Sequence, residues 1–174
     1  MNVILISLRP KQWIKNLVIF AGIIFSRNLG DWAMLGKVSA TFVAFCAIVG
    51  AGYLINDIID READRVHPVK KDRPIASGRL SAGTAAAVAV ILVLISLIGG
   101  LFVDLWLTLF LAAYLALQLS YALVFKHLVI VDVLLISSLF VLRAVGGTVV
   151  ITVPLSPALP FRTPSLPLCL ALAP

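Results

Sequence analysis

The sequence predicts an all-α integral membrane protein of about five transmembrane helices, and three observations carry that prediction. Of the 174 residues, 61% are hydrophobic and only 13% charged, with a mean hydropathy of +1.11. Soluble domains run at about 45–50% apolar and about 25% charged. The apolar residues also gather into runs near the roughly 20 residues that a bilayer-crossing helix needs. Finally, the basic residues flank those runs unevenly, as the positive-inside rule describes.

Met1 to Leu8 has no basic residue before Arg9 and no small-residue cleavage site, so it does not read as a signal peptide. Residues 9–16, Arg-Pro-Lys-Gln-Trp-Ile-Lys-Asn, are basic and interfacial, with Trp13 in an aromatic-belt position. A short first span is expected from about Trp13 to Phe25, either snorkelling at its flanks or facing Lys11 and Lys15 into a wet cavity. Residues 27–37 read as a loop. The second span runs from about Val38 to Asp60, and its small residues, such as Ala44, Gly50 and Gly52, suit close helix packing in lipid. A polar loop, 61–81, follows. Spans three, four and five are expected at about Ala82–Val103, Leu105–Phe125 and Val129–Ile151. Cys46 and Cys169 lie in apolar runs and read as buried or lipid-facing thiols, not as a disulfide or metal site.

With the N-terminus cytoplasmic, one side of the membrane carries Arg9, Lys11, Lys15, Arg61, Arg65, Lys70, Lys71, Arg73, Arg79 and Lys126, and the other only Arg27 and Lys37 before the tail. That asymmetry accounts for the net charge of +6 and places the N-terminus and the polar loop at the cytoplasmic face of the cell membrane. It leaves no footprint of nucleic-acid binding.

The stretch 56–74 is the polar centre of the chain. It holds Asp57, Asp60, Glu62, Asp64 and Asp72, five of the eight acidic residues, directly after the apolar run that ends at Leu54-Ile55. Asn56, Asp60 and Asp64 are spaced four apart, so each step drifts only about 40° around a helix and all three share a face. An amide oxygen and two carboxylates one turn apart make a row of hard ligands suited to Mg2+ and to phosphate bridging. Asp57 lies about 100° from Asn56, and Glu62 faces elsewhere; neither joins the row. The competing reading is a solvated helix end whose carboxylates pair with Arg61 and Arg65. Against it, the ligands start inside an apolar run, where polar groups are costly, and the basic residues Lys70, Lys71, Arg73 and Arg79 follow at once, as a polyanion would require.

Arg143 sits within span five and needs a cavity or a partner, Asp132 being one. Tyr121 and Lys126 close span four level with the acidic helix end, either as site residues or as interface anchors. His67 and His127 are lone loop histidines and are assigned as neither ligand nor base. No phosphate-binding Gly-rich loop, nucleophile elbow or zinc-type Cys/His spacing occurs.

The run Asn56-Asp57-x-x-Asp60-x-x-x-Asp64, followed by Arg73-Pro74-Ile75-Ala76-Ser77-Gly78, resembles the first aspartate-rich motif and adjoining loop of the UbiA superfamily of intramembrane prenyltransferases. The opening Arg9-Pro10-Lys11-Gln12-Trp13-Ile14-Lys15-Asn16, the segments Gln118-Leu119-Ser120-Tyr121 and Lys126-His127, and Leu142-Arg143-Ala144-Val145-Gly146-Gly147 are similar to its decaprenyl-phosphate phosphoribosyltransferase-like branch. The resemblance covers about residues 8–152. It implies five helices of a nine-helix bundle around a cavity open to lipid, with two aspartate-rich motifs holding Mg2+ and a diphosphate. It also implies transfer of 5-phosphoribose from phosphoribosyl diphosphate to a polyprenyl (decaprenyl) phosphate, a step that supplies cell-wall biosynthesis. In that reading Asn56, Asp60 and Asp64 hold the metal, Asp60 and Asp64 are catalytic, and Lys11, Lys15, Lys71, Arg73, Tyr121, Lys126 and Arg143 contact substrate phosphates.

Asp132 is the last acidic residue, so a second aspartate-rich motif is missing. Six of the nine prolines fall in 152–174, a density that blocks regular helix. The expectation is therefore an N-terminal half, 1–152, and an out-of-frame or unstructured tail, 153–174, in a truncated chain. Two other readings stand beside the leading one: a prenyltransferase that takes a prenyl diphosphate and acts on an aromatic acceptor, and an inactive membrane fragment. The lipid bilayer is a partner in all of them, nucleic acid in none, and an oligomer is compatible with each.

Overall fold

The computed structural model describes residues 3–123 and 129–151, the side chains of 129–133 and 136 excepted. Lys126, His127, Cys169, the tail 153–174 and the Asp132 side chain lie outside the described residues. The described chain forms helices and no strand: α1 (Val3–Ser7), a 3₁₀ helix (Pro10–Phe20), α2 (Ala21–Phe25), α3 (Trp32–Ile59), α4 (Arg61–Val66), a short 3₁₀ turn (Lys70–Asp72), α5 (Ala82–Val103), α6 (Leu105–Leu123) and α7 (Val129–Val149).

Helices α3, α5 and α6 are long and apolar enough to cross a membrane. The first expected span takes a different form. It starts three residues earlier, at Pro10, and its first 11 residues are wound as a 3₁₀ helix before α2 completes the run at Phe25. A 3₁₀ helix rises about 2 Å per residue against about 1.5 Å in an α-helix. The 16 residues from Pro10 to Phe25 therefore cover about 30 Å, close to the thickness of the hydrocarbon layer. The shortness of this segment is offset by its winding.

Helix α3 starts at Trp32, so the expected loop 27–37 is shorter than its composition suggests. The reason is Asp31. Its backbone is extended, and Oδ1 accepts the amides of Ala33 (2.9 Å) and Met34 (3.1 Å), satisfying donors that would otherwise be orphaned at the helix start. Asp31→Ala is expected to cost about 1 kcal/mol, readable as a lowered midpoint in thermal unfolding of detergent-solubilised protein. Ser81 starts α5 in the same way, its Oγ accepting from the Thr84 amide at 3.0 Å. Asp104 breaks α5 from α6: its backbone is extended, and Oδ1 accepts from the Trp106 amide at 2.7 Å.

Helix α3 is the hub. It packs against α5, α6, α7 and the 3₁₀ helix. One apolar cluster gathers Ile19, Ile23, Phe45, Ile48, Leu107, Leu111 and Tyr114, and a second joins Ala51, Leu54, Ile75, Leu80, Ala85 and Ala89. Small residues let the helices close in: Gly50 faces Leu8 and Gly52 faces Gln118. Two buried hydrogen bonds tie helices together. Ser96 Oγ donates to the Ala44 carbonyl at 2.9 Å, and Asn16 Nδ2 to the buried Cys46 Sγ at 3.2 Å. The outward faces are apolar, as in Val90, Ile91, Leu94, Ile95 and Ile98 of α5. This is a membrane protein whose lipid-facing surface carries no hydration requirement.

Candidate functional site

The polar stretch after α3 is not an open loop. At Asp60 the backbone leaves helical geometry (φ −84°, ψ 1°) and at once resumes it in α4. The four-residue ladder continues across this joint, with Asp60 N donating to Asn56 O (2.9 Å) and Asp64 N to Asp60 O (2.8 Å). Asn56, Asp60 and Asp64 therefore keep the common face that their spacing predicts. Asn56 Nδ2 donates to Asp60 Oδ2 at 3.3 Å, which leaves the amide oxygen to another partner.

Beyond α4 the chain folds back. His67 Nδ1 accepts the amides of Val69 and Lys70, both at 3.2 Å, and so shapes the turn. The segment Pro74–Leu80 closes on itself: Ser77 N reaches Arg73 O, Gly78 N reaches Ile75 O and Leu80 N reaches Pro74 O. Gly78 has φ +78°, a conformation that glycine adopts without the strain a Cβ brings. Ile75 and Leu80 are buried on α3 and α5, and Ala76, also buried, has its carbonyl held by Arg65 Nε at 3.3 Å. This anchored loop plants Arg73 against the helix end.

Arg73 lies among carboxylates. Its Nη1 donates to Asp64 Oδ2 at 2.7 Å and to Asp57 Oδ1 at 3.2 Å. Asp57 Oδ1 also accepts Arg9 Nη2 at 2.6 Å, and the Arg9 guanidinium stacks on the Tyr53 ring at 4.7 Å. Both carboxylates are buried, Asp57 at 2% and Asp64 at 3% exposure. Glu62 is separate and exposed. Arg61 and Arg65 pair with it, and the Arg61 hydrogen bond in particular holds its carboxyl below the usual range.

Asn56, Asp60, Asp64, His67, Lys70, Arg73 and Tyr121 line one cavity of about 380 Å³. A neighbouring cavity of about 390 Å³ lies behind Arg73, between Ser7, Arg9 and Asp57 on one side and Lys70 and Asp72 on the other. The residues expected to meet phosphate divide accordingly. Arg73 and Tyr121 stand at the aspartate row. Lys11, Lys15 and Lys71 are exposed and line neither cavity. Arg143 is buried inside the bundle, where it donates to the Tyr114 hydroxyl and sits over that ring at 5.1 Å.

Arg9 at the site and the role of Asp57 are not expected from the sequence, whereas Lys70, one of the basic set that follows the row, lines the cavity. For Asp57 the signal was present: seven residues separate it from Asp64, only about 20° apart in phase, against about 80° between Asn56 and Asp64. The donor set fits a hard divalent cation. Two carboxylates and an amide oxygen share one cavity wall. Among the described residues no group of three His, Cys, Asp or Glu side chains could hold a metal by itself. A cation here would therefore also draw on water and substrate oxygens, as Mg2+ commonly does.

Comparison with known proteins shows the family and the fold. The UbiA prenyltransferase family matches residues 17–174. Decaprenyl-phosphate phosphoribosyltransferase of Mycobacterium tuberculosis is 40% identical over 154 residues, 86% of this chain and 51% of that protein. A solved digeranylgeranylglyceryl phosphate synthase structure superposes with a TM-score of 0.74 at 23% identity, over 85% of this chain and 52% of the other. A UbiA homolog from Archaeoglobus fulgidus, solved with GPP and Mg2+, gives 0.69 at 19% identity, over 86% and 54%. The chain spans about half the length of the curated relatives it matches.

Proposed function

The chain belongs to the UbiA prenyltransferase family, and from that premise we propose that it contributes the first aspartate-rich half of a membrane-embedded, Mg2+-dependent transferase. The transferase would move 5-phosphoribose from phosphoribosyl diphosphate to a polyprenyl phosphate. The observation that carries the reading is the single cavity in which Asn56, Asp60 and Asp64 meet Lys70, Arg73 and Tyr121. The identity to decaprenyl-phosphate phosphoribosyltransferase supports the choice of donor and acceptor. The activity is that of the relatives' whole length, to which residues 1–152 contribute one half.

Asn56, Asp60 and Asp64 would hold the cation, which supplies charge neutralisation to the departing diphosphate. Lys70 and Arg73 would orient the donor's phosphates, and Tyr121 would border the same space. Lys11, Lys15 and Lys71 would draw polyanions toward the site from its exposed surroundings, and Lys126 keeps the phosphate role that the family resemblance implies. An acceptor phosphate oxygen would form the new bond to the ribose anomeric carbon as the bond to diphosphate breaks. That oxygen is already anionic, so no general base is needed. The basic asymmetry of the loops supports a cytoplasmic placement of the site in the cell membrane, on the side where a phosphorylated sugar donor is available.

The test is to supply radiolabelled phosphoribosyl diphosphate or a radiolabelled prenyl diphosphate to a full-length family member carrying this segment, with polyprenyl phosphate present. Label from phosphoribosyl diphosphate is expected to enter the lipid phase in a Mg2+-dependent manner. Turnover of the prenyl diphosphate alone would replace this reading with prenyl transfer.

A further inference from the structure

Asp57 stands outside the row of Asn56, Asp60 and Asp64, yet it is buried to 2% exposure. A carboxylate held out of water requires compensating charge. Here two arginines share one of its oxygens, Arg9 Nη2 at 2.6 Å and Arg73 Nη1 at 3.2 Å. Arg73 Nη1 carries two N–H groups, and its other contact is Asp64 Oδ2 at 2.7 Å. The four side chains thus form one line, Arg9–Asp57–Arg73–Asp64, with alternating charge. Its ends come from distant segments. Arg9 sits in a left-handed turn (φ 52°) immediately before Pro10 opens the 3₁₀ helix, and Arg73 opens the loop that folds back over α3 and α5.

We infer that Asp57 is a positioning residue for the cation-binding row. It keeps Arg73 shared between two carboxylates, and thereby limits how strongly Arg73 neutralises Asp64. By the same oxygen it anchors the N-terminal segment beside the site. The inference rests on the proposed reading of Asn56, Asp60 and Asp64 as ligands of a divalent cation. With the Asp57 charge removed, Arg73 keeps its ion pair with Asp64 and competes with the cation for that carboxylate.

The experiment uses the purified 174-residue chain in detergent and Mn2+ as the probe, with free Mn2+ followed by electron paramagnetic resonance. Asp57→Asn is expected to weaken Mn2+ binding roughly 10-fold, the lower end of what residues supporting metal ligands contribute. Adding Arg73→Gln to Asp57→Asn removes the competitor and is expected to recover most of that loss. A purely structural role for Asp57 makes the double variant no tighter than the single. Arg73→Gln alone leaves Asp57 to Arg9 and is expected to bind Mn2+ roughly 3-fold tighter than the unsubstituted chain, whether or not Asp57→Asn folds. Unchanged binding in Asp57→Asn, no recovery in the double variant, or weaker binding in Arg73→Gln overturns the inference.

A metal-free measurement separates this inference from the reading beneath it. Hydrogen exchange in Asp57→Asn is expected to quicken in both segments 3–16 and 69–80, and to stay unchanged in Glu62→Gln. No change in either segment overturns the anchoring role. An unsubstituted chain that binds no Mn2+ overturns the proposed cation row, and the exchange result then decides the anchoring role alone.

Discussion

Asp60→Ala in a full-length family member carrying this segment is expected to abolish Mg2+-dependent transfer while leaving membrane insertion intact. Asp60 lies at the joint between α3 and α4, and its carboxylate faces the cavity beside Asn56 and Asp64. Asp60 follows the last residue of α3, Ile59, and lies beyond the apolar run that ends at Leu54-Ile55, so the apolar part of the helix is unchanged. On the proposed reading Asp60 is one of three oxygen ligands, so its loss would leave the cation weakly held and the departing diphosphate poorly neutralised. A loss of about 4 kcal/mol of transition-state stabilisation corresponds to a rate reduction on the order of 1000-fold. Asp60 is a cleaner target than Asp64, whose replacement also strips Arg73 of its shorter ion pair. The measurement is transfer rate against Mg2+ concentration, with membrane-fraction yield recorded in parallel. Turnover at the unsubstituted rate would reject Asp60 as a ligand.

The aspartate row was legible because a helix converts spacing into direction. Four-residue steps place Asn56, Asp60 and Asp64 on one face, and the backbone ladder that carries them survives the irregular joint at Asp60. The positions of α3, α5, α6 and α7 were legible for a similar reason, since twenty apolar residues in lipid have few alternatives to a helix. What was not legible depended on groups that sequence separation hides. Arg73 reads as a phosphate ligand from its composition, but its first partners are Asp57 and Asp64, because Gly78 and the buried Ile75 and Leu80 turn the loop back onto α3. Arg143 calls for a counter-charge within the membrane, and the structure gives it the Tyr114 hydroxyl and ring on α6. Which residue of a neighbouring helix faces an arginine is set by helix rotation, and no periodicity within α7 records that. The early start of α3 was readable, since Asp31 is an N-cap residue followed by helix-compatible positions, but the charges around it looked like a loop.

Gly147→Ala is expected to destabilise the bundle by about 1–3 kcal/mol, although alanine is the better helix former. In an open helix the exchange would gain up to about 1 kcal/mol. At Gly147 a Cβ would lie 2.3 Å from the Ile19 carbonyl oxygen and 2.8 Å from the Ile19 Cα. Those are backbone atoms of the 3₁₀ helix and cannot rotate aside, so α7 and the N-terminal segment must part. Overpacking of this kind costs about 1–3 kcal/mol when the backbone has to shift. Gly36 in α3 provides the contrast, since nothing lies within 4 Å of a Cβ built there, and Gly36→Ala is expected to match or exceed the unsubstituted chain. The readout is reaction of the buried Cys46 thiol with a thiol dye during heating, in a Cys169→Ser background. Gly147→Ala is expected to lower the midpoint by roughly 3–10 °C, and an unchanged midpoint would show that α7 does not pack on Ile19 this closely. The consequence reaches the site, because the helix that would be displaced begins at Arg9's turn, and Arg9 is held by the same carboxylate as Arg73. The close approach at one glycine in α7 thus bears on the geometry of the aspartate row at the far end of the 3₁₀ helix.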